Sequence, residues 1–270
     1  MNSFYHNKLV FVTGGSEGIG RSIALQLVTQ GAHVIITSRG PDKCKLAIQD
    51  FEKVRSSPKQ IIHYCSFDLT DYAVTQSHFE KLVQQYGVPD LLINCAGFAR
   101  PGYLETLDMA PIRDMMEINY FGIVHAVKSL LPHFIKRKSG VIVNTSSIAG
   151  FIGLFGYTGY CASKYAVIGF SEALRRELKP YGIQVSVLCP PNTQTPGLAE
   201  ENKYKPAEVL ATEEKIKVLT PDQVASSFLK KLTRNPFIIT TTFDGTLSLI
   251  LSRWAPWLLN FFVRRSKLKD

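Results

Sequence analysis

Cysteine is scarce and poorly placed for cross-linking. Its five residues, Cys44, Cys65, Cys95, Cys161 and Cys189, are widely spaced, with no C-x-x-C pair. That pattern argues for reduced thiols in a cytosolic setting, and against a disulfide frame or a zinc site. None of the six histidines stands in H-E-x-x-H or another ligand spacing, so no catalytic metal is expected. Met1–Lys8 contains no long apolar run, so neither a secretory signal nor an N-terminal anchor is expected. Acids are outnumbered, 22 against 31 Lys and Arg, for a formal charge of +9. Nearly half of that excess lies from Arg253 onward, in Arg253, Arg264, Arg265, Lys267 and Lys269 against Asp270. A basic balance suits nucleic acid, an anionic membrane surface or an anionic ligand. No nucleic-acid motif accompanies it, so that partner is set aside.

What is present reads as one folded domain. The chain of 270 residues is 45% hydrophobic and 20% charged, enough to bury a sizeable core. Apolar, β-branched runs alternate with amphipathic stretches, the pattern of βαβ units on a parallel sheet. Strands are expected over Leu9–Thr13, Ala32–Ser38, Gln60–Ser66, Asp90–Cys95, Gly140–Ser146, Gln184–Cys189 and Phe237–Thr241. Helices are expected over Gly18–Gln30, Pro41–Val54, Asp71–Tyr86, Pro111–Lys136, Tyr160–Pro180 and Pro221–Leu232. Two segments interrupt the alternation. Thr193–Thr220 is a polar stretch long enough to be a lid or binding loop. Thr246–Val263 carries Leu247, Ile250, Leu251, Trp254, Leu258, Phe261 and Phe262 at helical spacing, with Ser248, Ser252, Pro256 and Asn260 elsewhere. It is short for a spanning helix and holds Arg253 and Pro256, so an interfacial helix is expected. Packing on its own domain or on a second copy is the competing reading.

The first expected strand runs into Gly14-Gly15-Ser16-Glu17-Gly18-Ile19-Gly20 and then a helix. Glycines there let the backbone turn tightly and approach a pyrophosphate at the positive end of the helix. After the second strand, where an acid would bind a ribose 2′-hydroxyl, the sequence reads Ser38-Arg39, with Lys43 a helical turn further on. Two cations suit a 2′-phosphate, hence NADPH/NADP+. The plainer reading of Arg39 and Lys43 as solvated charges stays open, and Asp42 lies close by. Further on, Tyr160-Cys161-Ala162-Ser163-Lys164 opens a helix, which stacks Tyr160 and Lys164 one turn apart on one face.

The spacing T-G-x-x-x-G-x-G, with Y-x-x-x-K and a serine, Ser147, thirteen residues before the tyrosine, resembles the short-chain dehydrogenase/reductase family. The resemblance implies a Rossmann-type doubly wound sheet of about seven parallel strands in a single domain over 1–245. A lid insertion at about 193–220 and a membrane-associating segment over 246–270 would complete it. Gly14, Ser16, Glu17, Gly18 and Ile19 would cradle the cofactor, with Arg39 and Lys43 at its 2′-phosphate. Asp68 and Leu69 would hold the adenine, and Asn94, Ala96 and Gly97 would answer the family's N-N-A-G element, with Cys95 for its second Asn. Pro190, Thr193 and Thr195 would complete the cofactor contacts. Tyr160 would act as acid in reduction and base in oxidation. Lys164 would lower its pKa and hold the nicotinamide ribose, Ser147 would orient the carbonyl, and Asn119 would support a proton-relaying water. Tyr157 is expected as a pocket wall and Ser146 as structural.

The segment Pro190-Pro191-Asn192-Thr193-Gln194-Thr195-Pro196-Gly197, followed by Ala199-Glu200-Glu201-Asn202-Lys203, is similar to that of the 3-ketodihydrosphingosine reductases. This implies NADPH-dependent reduction of a long-chain keto-base lipid, 3-ketosphinganine, to sphinganine. Pro196–Lys217 would then cover the alkyl chain. The enzyme would be a homo-oligomer, dimer or tetramer, on the cytosolic face of a membrane: the endoplasmic reticulum in a eukaryote, the inner membrane in a bacterium. Two other readings stay open: a steroid- or retinoid-type dehydrogenase of the same chemistry, and a non-catalytic NADP-binding scaffold.

Overall fold

The computed structural model describes residues 4–213 and 218–258. Seven strands form one sheet: β1 (Leu9–Thr13), β2 (His33–Ser38), β3 (Ile62–Ser66), β4 (Leu91–Asn94), β5 (Gly140–Thr145), β6 (Ile183–Cys189) and β7 (Ile238–Thr240). Their order is β3-β2-β1-β4-β5-β6-β7, and every pairing is parallel. The central strands are continuous apolar runs because both faces are covered. β1 and β4 are buried along their whole length, whereas the edge strand β3 is only partly so. All seven expected strands form, within about two residues of their expected ends.

Helices α1 (Gly18–Thr29), α2 (Pro41–Lys53) and α9 (Pro221–Leu232) cover one face, and α3 (Tyr72–Tyr86), α5 (Gly122–Arg137) and α6 (Thr158–Leu178) the other. The first core layer contains Val10, Ile23, Leu27, Phe51 and Phe228; the second contains Phe11, Phe79, Leu130, Phe134 and Val167. Each such side chain contributes about 1.5–3 kcal/mol on burial. The chain runs outward from β1 to β3 and then returns to β4 on the other side of β1. This leaves a crevice beyond the carboxyl ends of β1 and β4, where α/β sheets bind ligands.

Three expectations need correction. The single helix over Pro111–Lys136 is instead α4 (Met109–Met116), a π-helical turn over Glu117–Phe121, and α5. The wide turn carries Asn119 at its middle; such bulges displace the ladder where a site needs a particular side chain or carbonyl. The polar stretch after β6 holds two short helices, α7 (Pro196–Asn202) and α8 (Ala207–Glu213). Thr195 starts α7, accepting the Leu198 amide at 3.0 Å, with Pro196 at the first helical position. Residues 214–217 of the expected lid lie outside the described residues.

The last helix, α10 (Phe243–Trp254), begins three residues before the expected Thr246, because Thr242 caps it by accepting the Gly245 amide at 3.1 Å. It breaks at Ala255, since Pro256 disfavours a helical residue before it, and a further turn covers 256–258. The expected continuation through Asn260, Phe261, Phe262 and Val263, with Arg264, Arg265, Lys267 and Lys269, lies outside the described residues. The expected division after residue 245 falls within the first turn of α10. Gly245 there is buried against Ile148 and Thr240, so the helix is rooted in the main body.

Candidate active site

The crevice holds a cavity of about 310 Å³, with the glycine loop on one side and Cys95, Ala96 and Gly97 on the other. Gly14 has φ +66°, and a Cβ there would lie 2.6 Å from the Ala96 amide nitrogen. Only glycine lets the two backbones approach this closely. Glu17 begins α1 without a side-chain cap, so first-turn amides face the cavity with no partner from that residue, as an anion requires. Ser16 donates to Ser38 at 2.9 Å, fixing the loop against the end of β2. Arg39 lines the cavity beside Ser38, and Phe67 and Leu69 give it an apolar end. Asp42 is paired instead with Lys45 at 3.1 Å. Uncapped amides, a guanidinium, a tight glycine turn and an apolar end fit a dinucleotide with an extra phosphate.

Three expected contacts point elsewhere. Lys43 pairs with Glu17 at 2.7 Å, closing the outside of the loop. Asp68 accepts from both the amide and the hydroxyl of Thr70 at 2.9 Å, which fixes the turn that presents Leu69. Asn94 is turned into the sheet, donating to Asn144 at 2.9 Å and accepting from Thr13 at 3.4 Å. It ties β1, β4 and β5 together just below the crevice. Neither cavity of the site is lined by Lys43, Asp68 or Asn94.

A second cavity of about 180 Å³ adjoins the first, sharing Ile19, Gly97, Phe98, Thr145 and Thr195. Ser147, Tyr160 and Lys164 all line it, as do Pro190, Pro191 and Thr193. Ser147 follows β5 and caps a short 3-10 turn, Ile148–Gly150, by accepting the Ala149 amide at 3.1 Å. Tyr160 and Lys164 lie in the first turns of α6, with the Lys164 Nζ 5.7 Å from the Tyr160 ring centre. The buried ammonium donates to the Thr145 main-chain oxygen at 3.0 Å. Asn119 is fully buried; its amide donates to the Phe98 carbonyl at 2.9 Å and to Ser163 at 3.0 Å, and its oxygen accepts the Phe98 amide at 2.9 Å. Through these three bonds Asn119 clamps the loop after β4 onto the π-helical turn. Ser146 donates to the Lys164 carbonyl at 2.8 Å, a structural role as expected. Thr193 donates to the Pro191 carbonyl at 2.8 Å.

Burial raises the Tyr160 phenol above its ordinary value of 10.0, the charge of Glu201 raises it further, and the Ser147 hydroxyl pulls the other way. Lys164 itself is lowered to about 8, chiefly by burial. Its thiol neighbours Cys95 and Cys189 are pushed up by burial to about 11 and about 12.

The cavity wall contains residues that sequence reasoning had not assigned. Tyr157, expected only as a wall, donates from its hydroxyl to Glu201 at 2.6 Å and to Glu213 at 3.2 Å. Lys205, buried, pairs with Glu201 at 3.3 Å and with Glu213 at 2.5 Å. Glu201 was noticed only as part of an Ala199–Lys203 run; nothing local in the sequence points it at a tyrosine 44 positions away.

Comparison with known proteins agrees with this geometry. The family model described as short chain dehydrogenase matches residues 8–206. The chain belongs to the short-chain dehydrogenase family. It is 40% identical over 237 residues to the mouse 3-ketodihydrosphingosine reductase, covering 87% of this chain and 71% of that one. The Dictyostelium discoideum 3-ketodihydrosphingosine reductase is 36% identical over 270 residues, covering 94% and 81%. Among solved structures, a short-chain dehydrogenase from Streptomyces avermitilis superposes with a TM-score of 0.79 at 26% identity, covering 98% of both chains. ElxO, solved with NADP bound, has a TM-score of 0.74 at 29% identity, covering 87% of this chain and 98% of its own.

Proposed function

We propose that this chain is an NADPH-dependent reductase that converts 3-ketosphinganine, a long-chain 2-amino ketone, to sphinganine. The observation that carries the reading is the convergence of Ser147, Tyr160 and Lys164 on a cavity continuous with the glycine-loop crevice. The substrate is supported by the likeness to 3-ketodihydrosphingosine reductases over most of the chain. NADP is supported by Arg39 at the end of β2 and by the NADP-bound relative.

The bound dinucleotide supplies the hydride. The chain's residues place the ketone and manage its proton. Ser147 holds the carbonyl oxygen by a hydrogen bond that strengthens as negative charge develops there. Tyr160, a phenol that carries its proton at neutral pH, gives that proton to the nascent alkoxide. Lys164, ionised below about pH 8, supplies positive charge beside the reacting centre and is held there by the Thr145 carbonyl. Asn119, by clamping Phe98 and Ser163, keeps the Gly97 turn open for the ligand.

We also propose that α10 meets a membrane surface on its cytosolic side, where a lipid substrate resides. Phe243, Leu247, Ile250 and Trp254 lie along one exposed face of that helix. No helix among the described residues is long and apolar enough to cross a membrane.

The test is NADPH oxidation with 3-ketosphinganine, run beside a steroid ketone and beside NADH. Turnover of the long-chain amino ketone with NADPH is expected, and Tyr160→Phe is expected to lose about 10²–10⁴-fold in kcat. A preference for the steroid ketone would favour the second dehydrogenase reading, and full turnover by Tyr160→Phe would remove the acid assigned here.

A further inference from the structure

We infer that Glu201, backed by Glu213, binds the substrate's ammonium group and so makes the site select 2-amino ketones over neutral ketones of the same length. The inference rests on the reductase reading above and adds to it the residue that reads the amine.

The cavity that holds Ser147 and Tyr160 is also lined by Tyr157, Glu201 and Glu213. Behind them Lys205 is almost wholly enclosed, its side chain 1% exposed, and Glu201 is 16% exposed. Two carboxylates thus share one ammonium and one phenolic proton donor. With all three charged groups ionised, one negative charge is left over in the cavity wall. Leaving a buried charge uncompensated is costly, and a cation arriving from the cavity compensates it.

A simple fastening would not need this imbalance. Tyr157, Glu201 and Lys205 alone would be neutral and would tie α7 to the start of α6. The α7–α8 segment is also fastened twice elsewhere: Tyr103 donates to Glu208 at 2.5 Å, and the Arg100 guanidinium stacks 3.1 Å above the Tyr204 ring. Glu213 therefore adds negative charge where the fold already has its contacts.

Substrate chemistry puts a cation in the right place. In a 2-amino-3-ketone the ammonium sits on the carbon adjacent to the carbonyl. Once the carbonyl oxygen rests between Ser147 and Tyr160, the amine lies one carbon away inside the same cavity, and Glu201 and Glu213 are the carboxylates that line it. Glu201 and Tyr160 line the same cavity, and Tyr157, which donates to Glu201 at 2.6 Å, has its ring centre 6.0 Å from that of Tyr160. Burial also holds the Glu201 carboxyl above its ordinary value, a penalty that a bound ammonium would relieve.

The experiment compares wild type with Glu201→Gln, using NADPH and two ketones: 3-ketosphinganine, and its analogue with hydrogen in place of the amine. Wild type is expected to prefer the amine. Glu201→Gln is expected to cut the amine-over-deaminated ratio of kcat/KM about 30-fold, mostly through KM for the amino ketone, while any change in kcat from removing the Glu201 charge near Tyr160 is shared by both ketones and cancels in the ratio. Lys205→Met leaves the carboxylates unopposed and is expected to widen the preference. Equal losses on both ketones would make Glu201 a structural fastening only and overturn the inference, as would an unmoved ratio in both variants. Should the variants fail to fold, wild type alone decides. Its amine-over-deaminated ratio must fall as acid protonates Glu201, and a flat ratio overturns the inference. A wild type that reduces neither ketone sinks the reductase reading itself; one that reduces the amino ketone without preferring it sinks only the role of Glu201.

Discussion

The Nζ of Lys164 donates to the main-chain oxygen of Thr145 at 3.0 Å, placing a fully enclosed ammonium at the carboxyl end of β5. Burial lowers this group from 10.5 to about 8. Between those values the unfolded chain binds the additional proton, so the lysine's contribution to stability rises with pH across that window. Cys95 and Cys189, raised from 9.0, act in the opposite sense above pH 9. The clean measurement is therefore a difference between two proteins below that point. Relative to Lys164→Met, wild type is expected to gain about 1 kcal/mol of urea-unfolding stability between pH 7 and pH 9 without cofactor. A gap that does not change with pH would show that the ammonium is better solvated than its enclosure implies.

Arg39 lines the nucleotide cavity at the end of β2, where the acids Glu17 and Asp42 are paired with Lys43 and Lys45. On the proposed reading, replacing Arg39 with alanine removes one charge-assisted contact to a 2′-phosphate. Arg39→Ala is expected to raise KM for NADPH about tenfold or more and to leave KM for NADH almost unchanged. Equal effects on the two cofactors would place Arg39 outside phosphate recognition.

Gly97 admits no side chain. A Cβ there would stand 2.7 Å from the Asn119 oxygen and 3.4 Å from the Lys164 Nζ. Gly97→Ala must push Asn119 off the Phe98 amide, and a loss of about 1–3 kcal/mol in stability is expected, with a fall in kcat. Thermal unfolding and steady-state kinetics check both, and an unperturbed variant would mean that the Asn119 clamp is slack.

Phe243 and Trp254, 79% and 85% exposed, mark the two ends of the apolar face of α10. The double variant Phe243→Ser with Trp254→Ala is expected to weaken sedimentation with anionic lipid vesicles about tenfold or more, with turnover of a detergent-dispersed substrate retained. Unchanged vesicle binding would assign the face to another role.

Local pattern made most of this molecule legible. β1 and β4 declare themselves as unbroken apolar runs, and the Gly14–Gly20 loop declares its turn through residues that alone tolerate it. Tyr160 and Lys164 reveal their shared face through helical spacing. What escaped has no local period. The π-helical turn over Glu117–Phe121 departs from the helical repeat by a single residue within an otherwise amphipathic stretch. Tyr157 meets Glu201 and Glu213 across 44 and 56 positions, a pairing fixed by where α7 and α8 pack. The burial that raises the Tyr160 phenol was also out of reach, because it depends on how much water the folded wall excludes. The break at Ala255 had a local signal in Pro256, which restricts its predecessor, but the sequence reading carried one helical segment across it.

Cys189 is fully buried beside Lys164, and burial pushes its thiol up to about 12. Only a thiolate attacks an alkylating or oxidising reagent readily, so this sulfur is expected to react slowly while the chain is folded and to gain ordinary reactivity when the sheet opens. Alkylation at Cys189, followed by peptide mass, would therefore clock the opening of the sheet around Lys164.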